Sequence, residues 1–123
     1  MVDAPDEGDV TTYSRTFTER EVEQFADLSG DRGTHHEGER PMVHGLLTAT
    51  LPTKIGGDMD FLARSMEFEF RRPVYVGEEV SCETRVERVD ERDDRHEMTV
   101  TFDCRNEDDA VVLDGRIEGV ILR

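Results

Sequence analysis

A carboxylate and two imidazoles lie close together in the stretch 30–41, GDRGTHHEGERP, which holds Asp31, His35 and His36. A carboxylate and an imidazole on one loop are acid–base partners able to move protons near neutral pH. Adjacent residues of an extended segment point to opposite sides, so no more than one of the two histidines is expected to share a pocket with Asp31. The competing reading of Asp31 is structural, because aspartate after glycine commonly ends a helix or forms a turn. The histidines have a similar rival as an exposed pair on a mobile loop. His35, His36 and Glu37 do not form a recognisable ligand spacing, so no metal is expected.

The elements that must position this loop can be read on either side of it. Residues 1–10 are acidic, carry Pro5 and Gly8, and are expected to be a disordered lead-in. Residues 11–18 have strand character. Thr18 with Glu19 and Glu21 caps an expected helix that shows Val22, Phe25 and Ala26 on one face and stops at Gly30. After the loop, 43–57 is an apolar helix candidate. Leu46, Leu47, Ala49, Leu51 and Ile55 leave it few polar positions, so it belongs inside the fold. Pro52 predicts a kink or an early end nearby, and Gly56-Gly57 closes the segment.

The rest is β-rich. Met66, Phe68 and Phe70 alternate with charged residues, the period of a half-buried strand facing the core or a second subunit. Pro73 and Gly77 mark a turn. A hairpin centred on Asp93 sets Cys82 opposite Cys104, Thr84 opposite Phe102 and Val86 opposite Val100, with the apolar residues on one side. A last strand carries Val111, Leu113, Ile117 and Ile121. An antiparallel sheet wrapped around one apolar helix covers every apolar face, which makes the chain a single α+β domain over 11–123.

Composition narrows the function. The net charge of -15 leaves nothing to neutralise phosphates and argues against nucleic acid or an anionic membrane surface. Among 15 basic residues Lys54 is the sole lysine, a balance that suits concentrated salt, where self-repulsion is screened. The acidic N-terminus has no apolar stretch of a signal peptide, and no run reaches transmembrane length, so a soluble cytoplasmic protein is expected. Two cysteines make no disulfide framework and are expected to stay reduced. A hydrophobic fraction of 35% implies that a partner subunit completes the core.

Three segments resemble the MaoC-like hot-dog hydratases and dehydratases, which include the (R)-specific enoyl-CoA hydratases. Ser29-Gly30-Asp31 with His36 five positions on is similar to the family's S-G-D leading into D-x-N-P-x-H, although Gly33 and Thr34 stand where asparagine and proline would be. RPMVHGLL (40–47) resembles the apolar-apolar-His-Gly opening of the central helix, and FEFRRPVYVGEEV (68–80) resembles the F-x-x-P-V-x-x-G-D strand pair. The likeness spans about two-thirds of the chain. One departure is the connection from His36 to His44, only eight positions and shorter than the family's, which bears on acyl-chain preference.

The resemblance implies a hot-dog enzyme that adds water reversibly and syn to a 2-enoyl-CoA, and the acidic, lysine-poor composition suggests a salt-adapted, haloarchaeal-type member. Asp31 would serve as base or water-positioner and His36 would pass the proton. The Gly45 backbone N–H, at a helix start, would hold the enolate oxygen. His44, Val43 and Leu46 are expected to line the substrate site, His44 capping or packing the helix rather than reacting. Arg71, Arg72 and Lys54 would hold the coenzyme A phosphates. The resemblance further implies a homodimer or an oligomer of dimers, with no cofactor beyond the coenzyme A of the substrate and no metal. Two alternatives remain: a thioesterase on the same fold, which has no need of the Asp–His spacing, and a non-catalytic acyl-CoA-binding module, favoured by the missing Asn-Pro and the short connection.

Overall fold

The computed structural model describes residues 4–123. Its strands are β1 (Val10–Thr16), β2 (Leu62–Phe70), β3 (Glu79–Glu91), β4 (Arg95–Arg105) and β5 (Val111–Leu122). Its helices are α1 (Glu19–Ser29), α2 (Gly45–Thr48) and α3 (Thr50–Asp58). The strands form one antiparallel sheet in the order β1-β3-β4-β5-β2. Residues that alternate inward on β3, β4 and β5, among them Val80, Cys82, Phe102, Cys104, Leu113 and Ile117, close over Leu51 and Ile55 of α3. The α+β arrangement of a sheet around an apolar helix is the one its periodicity predicts.

The β3–β4 hairpin has the expected pairs Cys82–Cys104, Thr84–Phe102 and Val86–Val100. A bulge between Val86 and Arg88 then shifts the register by one and moves the tip to between Asp93 and Asp94. Cys82 and Cys104 are buried free thiols. The hydrogen bond to Cys82, together with burial, holds the Cys104 thiol far above its ordinary value, so it stays protonated.

Three expectations are corrected. Residues 4–10 are no disordered lead-in: Asp6–Asp9 form a hydrogen-bonded turn, the Gly8 N–H donates to the Val86 carbonyl (2.7 Å), and β1 begins at Val10. The remainder of that expectation, at 1–3, lies outside the described residues. The central helix breaks near Pro52 as expected, at Ala49, because a proline ring excludes the carbonyl four residues earlier, here that of Thr48. Pro52 then sits in the first turn of α3, which runs through Gly56-Gly57 to Asp58. On β5 a bulge opposite Cys104 and Arg105 buries Val112 and leaves Val111 half-buried.

α1 is delimited as expected. Thr18 and Glu21 exchange bonds in a capping box, and Gly30 ends the helix in the left-handed region (φ 79°). β2 differs from the other long strands in being exposed along nearly its whole length, with Leu62 and Met66 uncovered. It pairs, among the described residues, with β5 alone and leaves a free edge. Among the described residues no helix is long and apolar enough to cross a membrane.

The β2–β5 contact depends on Gly115, where a Cβ would lie 1.9 Å from the Glu67 carbonyl oxygen. Gly115→Ala is therefore expected to destabilise the protein by about 3 kcal/mol, the upper end for overpacking. A urea unfolding curve with an unchanged midpoint would contradict this packing.

Candidate active site

Asp31 leaves the C-terminus of α1 immediately after the Gly30 cap and is fixed at three of its atoms. Its N–H donates to Ser29 Oγ (3.0 Å), its carbonyl accepts from His44 Nε2 (2.9 Å), and Oδ1 accepts from the Gly33 N–H (3.1 Å). The last bond is an Asx turn, so the structural role of Asp31 and a chemical one coexist on different oxygens. Oδ2 is left free, 3.4 Å from His36 Nε2.

Thr34–His36 form a single 3-10 turn rather than an extended segment. That turn corrects the expectation for the two histidines: their rings lie 4.0 Å apart and both border the same cavity. Only His36 is buried, at 8% exposure, with Nε2 toward Asp31. Its Nδ1 is 2.7 Å from the Met42 carbonyl. A carbonyl only accepts, so Nδ1 carries the proton and Nε2 is free for chemistry. A Cβ at Gly33 would meet the His35 ring at 2.7 Å, which leaves no room for the larger residue of the related motif without moving His35.

The Gly33 N–H is the main cause that holds the Asp31 carboxyl below the ordinary aspartate value; burial opposes it weakly enough that the result stays low, and the neighbouring imidazoles of His36, His44 and His35 add to the lowering. Asp31, His36 and His44 offer ligand-type atoms within 4.8 Å of one another. The His36 and His44 rings, however, are stacked 3.6 Å apart at 15°. Lone pairs in nearly parallel planes do not converge on one ion at the ~2.1 Å that imidazole–metal bonds need.

These groups open onto a cavity of about 740 Å³ with Phe25, Val43, Val74, Val112 and Leu113 in its walls. Its exposed rim holds Leu46, Phe70, Arg71 and Arg72. The β5 bulge shapes this rim, since the Val112 carbonyl accepts the N–H groups of both Arg71 (2.8 Å) and Arg72 (3.2 Å). Arg71 Nε also reaches Asp114 (3.1 Å). Gly45 starts α2, where its N–H has no partner within the helix. The Phe70 ring covers it so closely that a Cβ would be 2.6 Å away. Because α2 has only 4 residues, that N–H acts as a local donor with little macrodipole behind it.

Of the expected site residues, Asp31, His36, Val43, His44, Gly45, Leu46, Arg71 and Arg72 all border this cavity. Lys54 does not. It projects from α3 over the Tyr13 ring and pairs with Asp58 one turn on. His44 stands at the N-cap position of α2 but makes no capping bond, since its side chain is committed to Asp31. The Met42 carbonyl and Val112 escape sequence inspection, because the first is defined by the folded loop and the second by a bulge.

Residues 42–113 match the Thioesterase superfamily, more than half of the chain. The chain belongs to this superfamily of hot-dog domains. The matched segment begins after Asp31 and His36. The domain is 31% identical to the (R)-specific enoyl-CoA hydratase of Aeromonas caviae over 88% of this chain and 89% of that one. It is 25% identical to a mitochondrial 3-hydroxyacyl-[acyl-carrier-protein] dehydratase of Arabidopsis thaliana over 93% and 76% of the two chains. Its fold superposes on the (R)-hydratase structure from A. caviae with a TM-score of 0.86, covering 99% of this chain and 100% of the other at 28% identity. A MaoC-like dehydratase from Rhodospirillum rubrum shares the fold (TM-score 0.74, 19% identity, coverage 97% and 94%).

Because the folded-state pKa of Asp31 lies below its unfolded-state value, its ionised form adds stability above the unfolded value and that contribution is lost as pH falls through the folded one. A 13C titration of the Asp31 carboxyl is expected to give a midpoint below that of ordinary aspartate. Replacing Gly33 by glycolic acid, whose ester linkage removes the donating N–H and adds no Cβ against His35, should raise the midpoint. An unchanged midpoint in the variant would show that the Gly33 N–H is not the cause.

Proposed function

We propose that this hot-dog domain is a hydro-lyase that adds water reversibly to a 2-enoyl-CoA and gives a 3-hydroxyacyl-CoA. The observation that carries this is the 3.4 Å approach of Asp31 Oδ2 to His36 Nε2, each group anchored through its other polar atom, at an apolar cavity. A gap of that length holds no direct hydrogen bond, yet one water can lie within reach of both atoms. Similarity to an enoyl-CoA hydratase and to a 3-hydroxyacyl-[acyl-carrier-protein] dehydratase, the first named for a coenzyme A thioester and the second for a carrier-protein one, supports the same reaction.

In the hydration direction, Oδ2 takes a proton as the water oxygen bonds to C3 of the enoyl group. Electrons move to the thioester oxygen, where the Gly45 N–H is the nearest candidate donor. The proton on Oδ2 passes through a bridging water to the free Nε2 of His36, which delivers it to C2, so both groups are restored. The sum is one water added across the double bond, with both new bonds on the face turned to the dyad. No cofactor or metal enters these steps.

Arg71 and Arg72 give the rim positive charge on a chain of net charge -15, which suits the phosphates of coenzyme A better than an acidic carrier protein. The free edge of β2 and its uncovered Leu62, Met66 and Phe70 support a homodimer or a higher oligomer of dimers. A cytoplasmic, salt-adapted protein is the setting that the acidic, lysine-poor composition favours.

The thioesterase alternative has one observation in its favour, the superfamily match over 42–113. Crotonyl-CoA in molar KCl separates the two. The wild type is expected to bleach the conjugated thioester absorbance without releasing thiol, and Asp31→Asn to lose about 10²–10⁴-fold in kcat, the usual contribution of a positioned acid–base group. Free thiol without hydration would make the protein a thioesterase.

A further inference from the structure

His44 is 2% exposed and touches both members of the dyad. Its Nε2 donates to the Asp31 carbonyl (2.9 Å), and its ring stacks on that of His36 (3.6 Å between centroids, 15°). Phe25 of α1 closes on the ring from another direction (4.8 Å, 54°). The donation places the proton on Nε2 and leaves Nδ1 a lone pair, which is buried and has no partner among the described residues. Packing alone does not explain that choice. A phenylalanine would fill the space and stack without stranding an acceptor, whereas a buried unpaired lone pair is a cost that folds avoid unless something else is gained. What is gained is a donor at the Asp31 backbone on the same rigid plate that backs His36.

We propose that His44 is the positioning residue of the acid–base pair, setting the separation of Asp31 Oδ2 and His36 Nε2 through one hydrogen bond and one ring stack. The proposal rests on the reading of Asp31 and His36 as the reacting groups. His44 presents no proton to the substrate in this role. It holds Asp31 from behind, at the backbone, and limits how far the His36 ring can tilt. The Met42 bond fixes His36 at Nδ1 only, so without the plate the ring can still swing about that anchor. The His44 backbone continues into α2, where Thr48 returns a bond to the His44 carbonyl (3.0 Å from its N–H). One residue thus ties the dyad to the Gly45 N–H on which the oxyanion would rest. Misplacement of reacting groups by about 1 Å can cost about 10²-fold in rate.

The test is a kinetic cycle on crotonyl-CoA with His44→Phe, His44→Gln, Asp31→Asn and the Asp31→Asn/His44→Phe double variant, each checked for folding by thermal melting. His44→Phe keeps a stacked ring and loses the donor; it is expected to lower kcat about 30–100-fold with KM within about threefold. His44→Gln returns an amide N–H toward the Asp31 carbonyl and should recover kcat to within about tenfold of wild type. In the double variant the two losses should not multiply, because His44 acts through Asp31. Full kcat in His44→Phe, equal impairment in Phe and Gln variants, or multiplying losses would each overturn the positioning role. Should His44→Phe fail to fold, His44→Met replaces it as the donor-free variant under the same criteria. Wild-type turnover in Asp31→Asn would instead overturn the assignment of the dyad.

Discussion

The site depends on a single hydrogen bond from His36 Nδ1 to the Met42 carbonyl. It decides the tautomer, aims Nε2 at Asp31 and closes the loop that carries both. The connection is short enough for this closure to be tight: the Met42 N–H returns a bond to the His35 carbonyl (2.8 Å), and Met42 bridges to Tyr75 beyond β2. What the short His36–His44 connection lacks in cover it supplies in rigidity. Asp31 is correspondingly more open, its side chain 56% exposed beside a histidine that is nearly enclosed. A carboxylate that meets water and an imidazole that does not are suited to different ends of one proton transfer.

Around that pair the chain is arranged by approach distances rather than by bulk. Gly115 lets β2 cross close to β5, which places Phe70, Arg71 and Arg72 at the cavity rim. Gly45 lets the Phe70 ring lie against the start of α2. The bulge at Val112 turns one more apolar side chain inward and uses its carbonyl to hold both arginines by the backbone. Each is a small backbone irregularity with a consequence at the site. The acidic surface elsewhere leaves the rim arginines as a local exception on a chain that carries 30 acidic residues.

Much of this was legible in the residues. Period-two alternation and the apolar stretch around Leu51 specify a sheet around a helix, and matching the apolar faces of two strands yields the Cys82–Cys104 register. The Thr18 and Glu21 cap and the Gly30 stop are local chemistry and appear where the sequence puts them. The misses arise where a remote partner decides the outcome. Neither bulge has a local signature. Lys54 is set aside from the site by the direction in which α3 presents it, toward Tyr13 and Asp58. The 3-10 turn that turns His35 and His36 to one side is stabilised by bonds within the folded loop, from His36 N–H to the Gly33 carbonyl (2.9 Å) and on to Met42.

The central claim is that one carboxylate and one imidazole, side by side, deliver both halves of a water molecule from the same side. Hydration of crotonyl-CoA in deuterium oxide, followed by NMR of the 3-hydroxybutyryl product, tests it most directly. Deuterium at C2 and hydroxyl at C3 on the same face, in a single diastereomer, is the expected result. Addition to opposite faces, or a mixture of diastereomers, would contradict a dyad that works from one side.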